Sequence, residues 1–206
     1  MTLVVVTTPE PVPGEREVTV QLFELGLLRL HLRRPNANIA DIRTWLQGVP
    51  AEYHRRIRLH QTWDLALEFG LEGLHAGAKM QDAAGLAKAI NILEQVPGLQ
   101  LSLALHDPSR IPLLGPPYHE ALLSPVFESL SKQGYQPNWN PLEWAGTILE
   151  SRLPLLALGG VTRHHLPQVK AFGFAGAAVL GAVWNAANPV TAFLELQQRH
   201  QELWNP

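Results

Sequence analysis

Short apolar runs recur along the chain at residues 3–6, 27–32, 57–59, 73–75, 99–105, 121–126, 155–158 and 177–180. Runs of this length fit buried strands or fragments of buried helix, so the segments between them decide which. Several of those segments carry apolar residues at helical spacing. Val18, Phe23 and Leu25 stand among polar residues at 17–25, and Ile39, Ile42 and Leu46 share one face at 39–46. Residues 86–96, 142–149, 166–172 and 190–203 behave alike. Asn140-Pro141 and Asn188-Pro189 read as an N-cap followed by proline at the first helical position, where its missing donor costs nothing. Eight near-continuous apolar strands alternating with helices or loops predict a parallel sheet buried on both faces. A repeat of about 26 residues is close to the shortest that closes an eight-stranded (β/α)8 barrel, a TIM barrel. An open doubly wound sheet is the alternative and would need fewer strands. No shift in composition divides residues 1–206, and the proline-rich stretch 107–119 reads as a loop, so one compact barrel domain is expected.

Composition narrows the class. The chain has 206 residues, 46% of them hydrophobic, enough for a sizeable core. Its formal net charge of −2 lacks the excess of Lys and Arg with which phosphate backbones are held, which argues against nucleic acid as a partner. No apolar run approaches the roughly 18 residues of a membrane span, and the first residues lack the features of a signal peptide. A chain without cysteine has no disulfide, thiolate nucleophile or Cys-ligated zinc. A soluble, cytoplasmic enzyme is the expectation.

In such a barrel the functional groups follow the strands, at their carboxyl ends. That rule selects His31 with Arg33 and Arg34, His60-Gln61, His75, His106, the segment 124–132, Gly159-Gly160 and Gly181. Histidines recur at these places, His119 before strand six being counted with them. Any one alone would more often be a packing or surface residue. Gly159-Gly160 after strand seven and Gly181 after strand eight would let backbone N–H groups approach a phosphate, although a pair of glycines also simply makes a tight turn. Ser129, Ser131 and Lys132 suit a loop that wraps a phosphate, and equally an ordinary polar surface loop. Of Arg33 and Arg34, one must face away if both lie in the loop. His164 and His165 read as surface residues, since neighbours on a helix point about 100° apart.

These motifs, in this order, resemble the thiamine phosphate synthase family with its thiazole tautomerase (TenI-like) relatives, over residues 27–184. The family's Gly-Pro-Val-Phe-x-Thr-x-Thr-Lys stands here as Ser124-Pro125-Val126-Phe127-Glu128-Ser129-Leu130-Ser131-Lys132. Its Ile-Gly-Gly-Ile stands as Leu158-Gly159-Gly160-Val161, and its Gly-Ala-Asp-Gly-Val-Ala-Val-Val-Ser as residues 173–181, ending Leu180-Gly181. Gly73-Leu74-His75-Ala76-Gly77 is kept. The resemblance implies a thiazole phosphate touching Ser129, Leu130, Ser131, Gly160, Leu180 and Gly181, with Gly159 beside them.

The other half of the family's site departs from pattern. Gln-Leu-Arg-Glu-Lys becomes His31-Leu32-Arg33-Arg34-Pro35, Asn-Asp becomes His60-Gln61, and a second magnesium-binding Asp aligns with Met80, Asp82 lying two residues beyond. Mg²⁺ wants hard oxygen ligands. Three functions are therefore carried forward. A thiazole tautomerase-type isomerase would use acid–base histidines and no metal, with His31, His75 and His106 as proton carriers and Arg33 and Lys132 as cations. Here Pro125 replaces the histidine proposed as catalytic in tautomerases. A synthase would join hydroxymethylpyrimidine diphosphate to thiazole phosphate, needing Mg²⁺ at an altered site. A non-catalytic protein would only bind thiazole phosphate. Pairing into homodimers is common in the family.

Overall fold

The computed structural model describes residues 2–128 and 137–204. Eight parallel strands form a closed barrel in sequence order: β1 (Thr2–Val6), β2 (Arg29–Leu32), β3 (Ile57–Leu59), β4 (Gly73–Ala76), β5 (Gln100–Leu105), β6 (Glu120–Leu123), β7 (Leu155–Ala157) and β8 (Gly176–Val179). Closure comes from β8 pairing with β1, Leu3 opposite Ala177 and Val5 opposite Val179. Every apolar run of the sequence supplies a strand. The connecting helices are α1 (Glu15–Glu24), α2 (Ile39–Gln47), α3 (Leu65–Phe69), α4 (Ala83–Gln95), α5 (Ala145–Leu149), α6 (Leu166–Ala171), α7 (Gly181–Trp184) and α8 (Pro189–Trp204). No helix among the described residues is long and apolar enough to cross a membrane.

Helix starts follow their capping chemistry. Asn38 and Asp41 form a reciprocal capping box on α2, and the Asn188 side chain accepts from the Thr191 N–H at the start of α8. Asn140-Pro141 behaves differently: Asn140 accepts from the Leu142 N–H, but the chain makes a turn, and α5 begins at Ala145. The five-residue α3 and four-residue α7 are too short to show a helical period in sequence.

Side chains alternate across each strand, so one set packs under the helices and the other fills the barrel. Leu3, Val5, Leu30, Leu32, Leu59, Leu74, Leu103 and Leu123 belong to the large outer core. The interior is divided. Val4, Val6, Leu122, Leu156 and Ala178, from β1, β6, β7 and β8, form a small hydrocarbon cluster. From β2 to β5 the interior carries the polar residues Arg29, His31, Arg58, His75 and Ser102, with Gly73 and Ala104 between them. At the amino ends of the strands Arg58 is 1% exposed and meets both Glu120 (2.7 Å) and Glu72 (2.9 Å). Arg29 bridges the same two carboxylates, at 2.7 Å and 2.8 Å. Two guanidinium groups and two carboxylates thus seal the barrel floor with no net charge.

One histidine far from the barrel mouth makes stability sensitive to pH. His200 on α8 is buried, stacks on Trp204 with ring centroids 4.7 Å apart, and burial pushes its pKa down to about 4. Unfolding restores a value near 6.5, so the unfolded chain takes up the proton first. The stability this neutral ring contributes is complete above pH 6.5 and is lost as the pH falls towards 4. Urea unfolding at pH 7.5 and 4.5 is expected to show His200→Leu losing roughly 1–3 kcal/mol less than the parent over that interval. Equal losses in the two proteins would refute the assignment.

Candidate functional site

A cavity of about 630 Å³ opens at the carboxyl ends of the strands. Its lining includes Thr8, Arg33, His60, His75, His106, Ser124, Gly159, Gly160, Leu180 and Gly181. One side is histidine-rich and comes from the β2–β5 half. The other is glycine-rich and follows β7 and β8.

On the histidine side, three rings converge from three neighbouring strands. His31 Nδ1 lies 3.1 Å from His60 Nε2, and the His60 and His75 ring centroids are 4.1 Å apart. His31 is fully enclosed and is absent from the cavity lining; it reaches the cavity only through the other two rings. Burial holds the His31 pKa well below the ordinary histidine value, reinforced by His75, His60 and the floor cations Arg58 and Arg29. Burial does the same to His60, with His75 and Arg33 adding to it. His75 is pushed down to about 3, first by burial and then by Arg58, Arg33 and His106. All three are neutral imidazoles near pH 7. Sequence reasoning selected His31 and His75 but left His60 only as a strand-end residue. The alternation Arg58-Leu59-His60, polar at every second place, was the signal that His60 faces inwards with Arg58.

His106 differs in being exposed at the rim. Its Nδ1 lies 2.9 Å from the Ser124 carbonyl oxygen, which can only accept, so Nδ1 carries a hydrogen; Ser124 Oγ lies 3.2 Å from the same nitrogen. Arg33 is half-buried in the lining and has no carboxylate partner among the described residues. Arg34 is the arginine that turns away. It is buried, ion-paired with Glu15 and donates to Thr7 Oγ1 at 2.8 Å, where it fixes the loop after β2. His119 precedes β6 and therefore sits at the opposite end of the barrel, where it accepts from the Leu101 N–H. It does not belong with the strand-end histidines.

On the glycine side, Gly159 and Gly160 have φ of +91° and +66°, left-handed values that side chains disfavour. The turn packs against the loop after β6: Val126 N–H donates to the Leu158 carbonyl and Phe127 N–H to that of Gly159. A Cβ on Gly159 would lie 2.8 Å from Pro125 Cα. His165, read from sequence as a surface residue, braces this turn. It is half-buried, its Nδ1 is 2.8 Å from the Gly160 carbonyl oxygen, and its ring stacks on Phe127 at 4.1 Å. His164 is exposed, as expected. After β8, Leu180 leads into α7, which is anchored by the Trp184 indole N–H donating to the Val6 carbonyl (2.8 Å). Val183 and Trp184 N–H donate to the Leu180 carbonyl, which leaves the Gly181 and Ala182 N–H groups at the opening without an acceptor in the helix. Ser129, Leu130, Ser131 and Lys132 lie outside the described residues.

The positions that the family resemblance gives to Mg²⁺ do not suit that ion. Gln61 offers a neutral amide oxygen in place of a carboxylate, and its amide nitrogen donates to the Arg34 carbonyl. Met80 is half-buried against the core. Asp82 caps α4 by accepting from the Gly85 N–H at 2.7 Å. No carboxylate lines the cavity among the described residues, and 129–136 contains no Asp or Glu.

Comparison with known proteins agrees with this architecture. A family model described as thiamine monophosphate synthase matches residues 3–183. The chain is 28% identical over 178 residues to a thiamine-phosphate synthase of Yersinia pestis (strain Pestoides F), covering 82% of this chain and 78% of that one. It is likewise 28% identical over 184 residues to a thiamine-phosphate synthase of Salmonella paratyphi A, covering 86% and 84%. Among solved structures, the thiamine phosphate pyrophosphorylase from Bacteroides thetaiotaomicron is similar with a TM-score of 0.74 and 28% identity, over 98% of this chain and 96% of that one.

Proposed function

Because the chain belongs to the thiamine monophosphate synthase family, we propose that its cavity takes a thiazole phosphate and isomerises it by moving a proton. The observation that carries this reading is the chemistry of the cavity wall: histidines and an arginine face glycine turns, with no carboxylate among the described lining residues. The phosphate would rest on the backbone N–H groups around Gly159, Gly160, Leu180 and Gly181, with Ser129, Leu130, Ser131 and Lys132 as further donors. Arg33 supplies a counter-charge for a carboxylate on the thiazole. His106 is the proton carrier, because its Nδ1 is held by Ser124 and the ring stands at the open rim of the cavity. It takes a proton from one carbon of the substrate and returns one to another, so nothing is consumed. His60 and His75 stand in the wall below, with His31 enclosed behind them.

The test is isomerisation of a carboxylated thiazole phosphate in heavy water with magnesium omitted, read as deuterium incorporation. The parent chain is expected to exchange, and His106→Gln to lose about a hundredfold in kcat with little change in KM. The names of the relatives favour a second reading, the joining of hydroxymethylpyrimidine diphosphate to thiazole phosphate, for which the same glycine turns would hold the phosphate. Thiamine phosphate formed only when magnesium is added would establish that reading and overturn the first. Tight binding of thiazole phosphate with neither reaction would leave a binding protein.

A further inference from the structure

We propose that His31, His60 and His75 form a three-nitrogen site for a divalent transition metal, with zinc the best chemical match and the remaining position open to the cavity. The three side chains come from the carboxyl ends of β2, β3 and β4, and each offers one ring nitrogen within 4.8 Å of the other two. The His31 Nδ1 to His60 Nε2 separation of 3.1 Å is close to the edge of a zinc tetrahedron, about 3.3 Å for bonds of 2.0–2.1 Å.

Hydrogen bonds behind His75 set its tautomer. Ser102 Oγ donates to the Leu74 carbonyl oxygen (3.2 Å), so the hydroxyl oxygen accepts from His75 Nδ1–H (2.9 Å), and the lone pair is left on Nε2. This is the outer-shell arrangement that orients metal-binding histidines. His31 Nδ1 and His60 Nε2 face each other at hydrogen-bond distance, so a metal between them would take the place of the one proton they share. Imidazole donors suit zinc and its neighbours rather than magnesium, and the chain has no thiolate to compete. The floor beneath adds no net charge, since Arg29 and Arg58 are paired by Glu72 and Glu120. Three neutral ligands leave the ion its full positive charge, and only His60 and His75 line the cavity, so the free position faces the substrate side. An oxygen anion, from water or from a carboxylate of the ligand, is what such a position binds. The site departs from the metal-free expectation read from the sequence. It is also independent of the proton-transfer reading, which uses His106.

The test uses the full chain, stripped by dialysis against a chelator and titrated with zinc sulfate alone and with cobalt(II) chloride alone. One equivalent of zinc with a submicromolar Kd is expected, together with the intense visible bands of four-coordinate cobalt. His60→Ala should weaken zinc binding at least a hundredfold. Ser102→Ala, which leaves the three ligands in place and removes little volume, should weaken it by about tenfold or more. His164→Ala, at an exposed position, should not change it. Absence of binding below micromolar zinc, or affinity that survives His60→Ala, would overturn the site. Neither readout involves substrate, so failure here is distinguishable from failure of the proposed reaction.

Discussion

Glu120→Ala should destabilise the protein by about 3–5 kcal/mol, because it leaves two enclosed guanidinium groups sharing one carboxylate. Glu120 holds Arg58 and Arg29 at 2.7 Å each, and Arg58 is 1% exposed, so water cannot replace the lost partner. For a barrel of this size the loss corresponds to a fall in Tm on the order of 10 °C, and it would consume a large share of a typical domain's stability. The cost comes from the stranded charge rather than from the intrinsic strength of the pair. Arg58→Met combined with Glu120→Leu should therefore recover most of it, since that pair of changes leaves Arg29 with Glu72. Chemical denaturation of the three proteins reads both effects. A loss below about 1 kcal/mol for Glu120→Ala would mean that the floor is solvated and behaves as surface ion pairs do.

Gly160→Ala should cost about a hundredfold in affinity for a thiazole phosphate while the barrel stays folded. A Cβ there would collide with the Glu128 carbonyl oxygen and lie 2.8 Å from the Phe127 carbonyl carbon, and φ of +66° adds strain of its own. The turn must move, and with it the N–H groups proposed to hold the phosphate; displacement of about 1 Å at such a site is worth that factor. Gly77→Ala provides the comparison. Gly77 also lines the cavity, but its φ of −63° is ordinary and a Cβ meets nothing within 4 Å. Calorimetric titration should show near-parental affinity for Gly77→Ala and a hundredfold loss for Gly160→Ala. Equal affinities for the two variants would remove the glycine turn from phosphate binding.

The barrel was legible because its strands are buried on both faces and so stand out as short apolar runs between polar segments. The same property hid which way each side chain points. Where Leu30 and Leu32 flank His31, and Leu74 and Ala76 flank His75, hydrophobicity does not tell inside from outside. The meeting of His31, His60 and His75 depends on strand register, His31 opposite Arg58 and His75 opposite Ser102, which three-dimensional pairing alone supplies. Glycine turns after β7 and β8 were visible from their placement, because left-handed backbone selects glycine directly. His165 was missed for the opposite reason: its role lies in a bond to the Gly160 carbonyl and a stack on Phe127, and no spacing in the sequence encodes either contact.

The unequal filling of the barrel gives its mouth a direction. Hydrocarbon from β1, β6, β7 and β8 lies below the glycine turns, and the polar residues of β2–β5 lie below the histidines. A molecule entering from above meets a ruler with different marks at its two ends. Under the proposed reading its anionic end would have one seat and its proton-exchanging end another, with the strands fixing the span between them. Selection among phosphate esters would then rest on length, as well as on the identity of either end. A homologue that carried the same histidines and glycines on a barrel of different shear would measure out a different substrate.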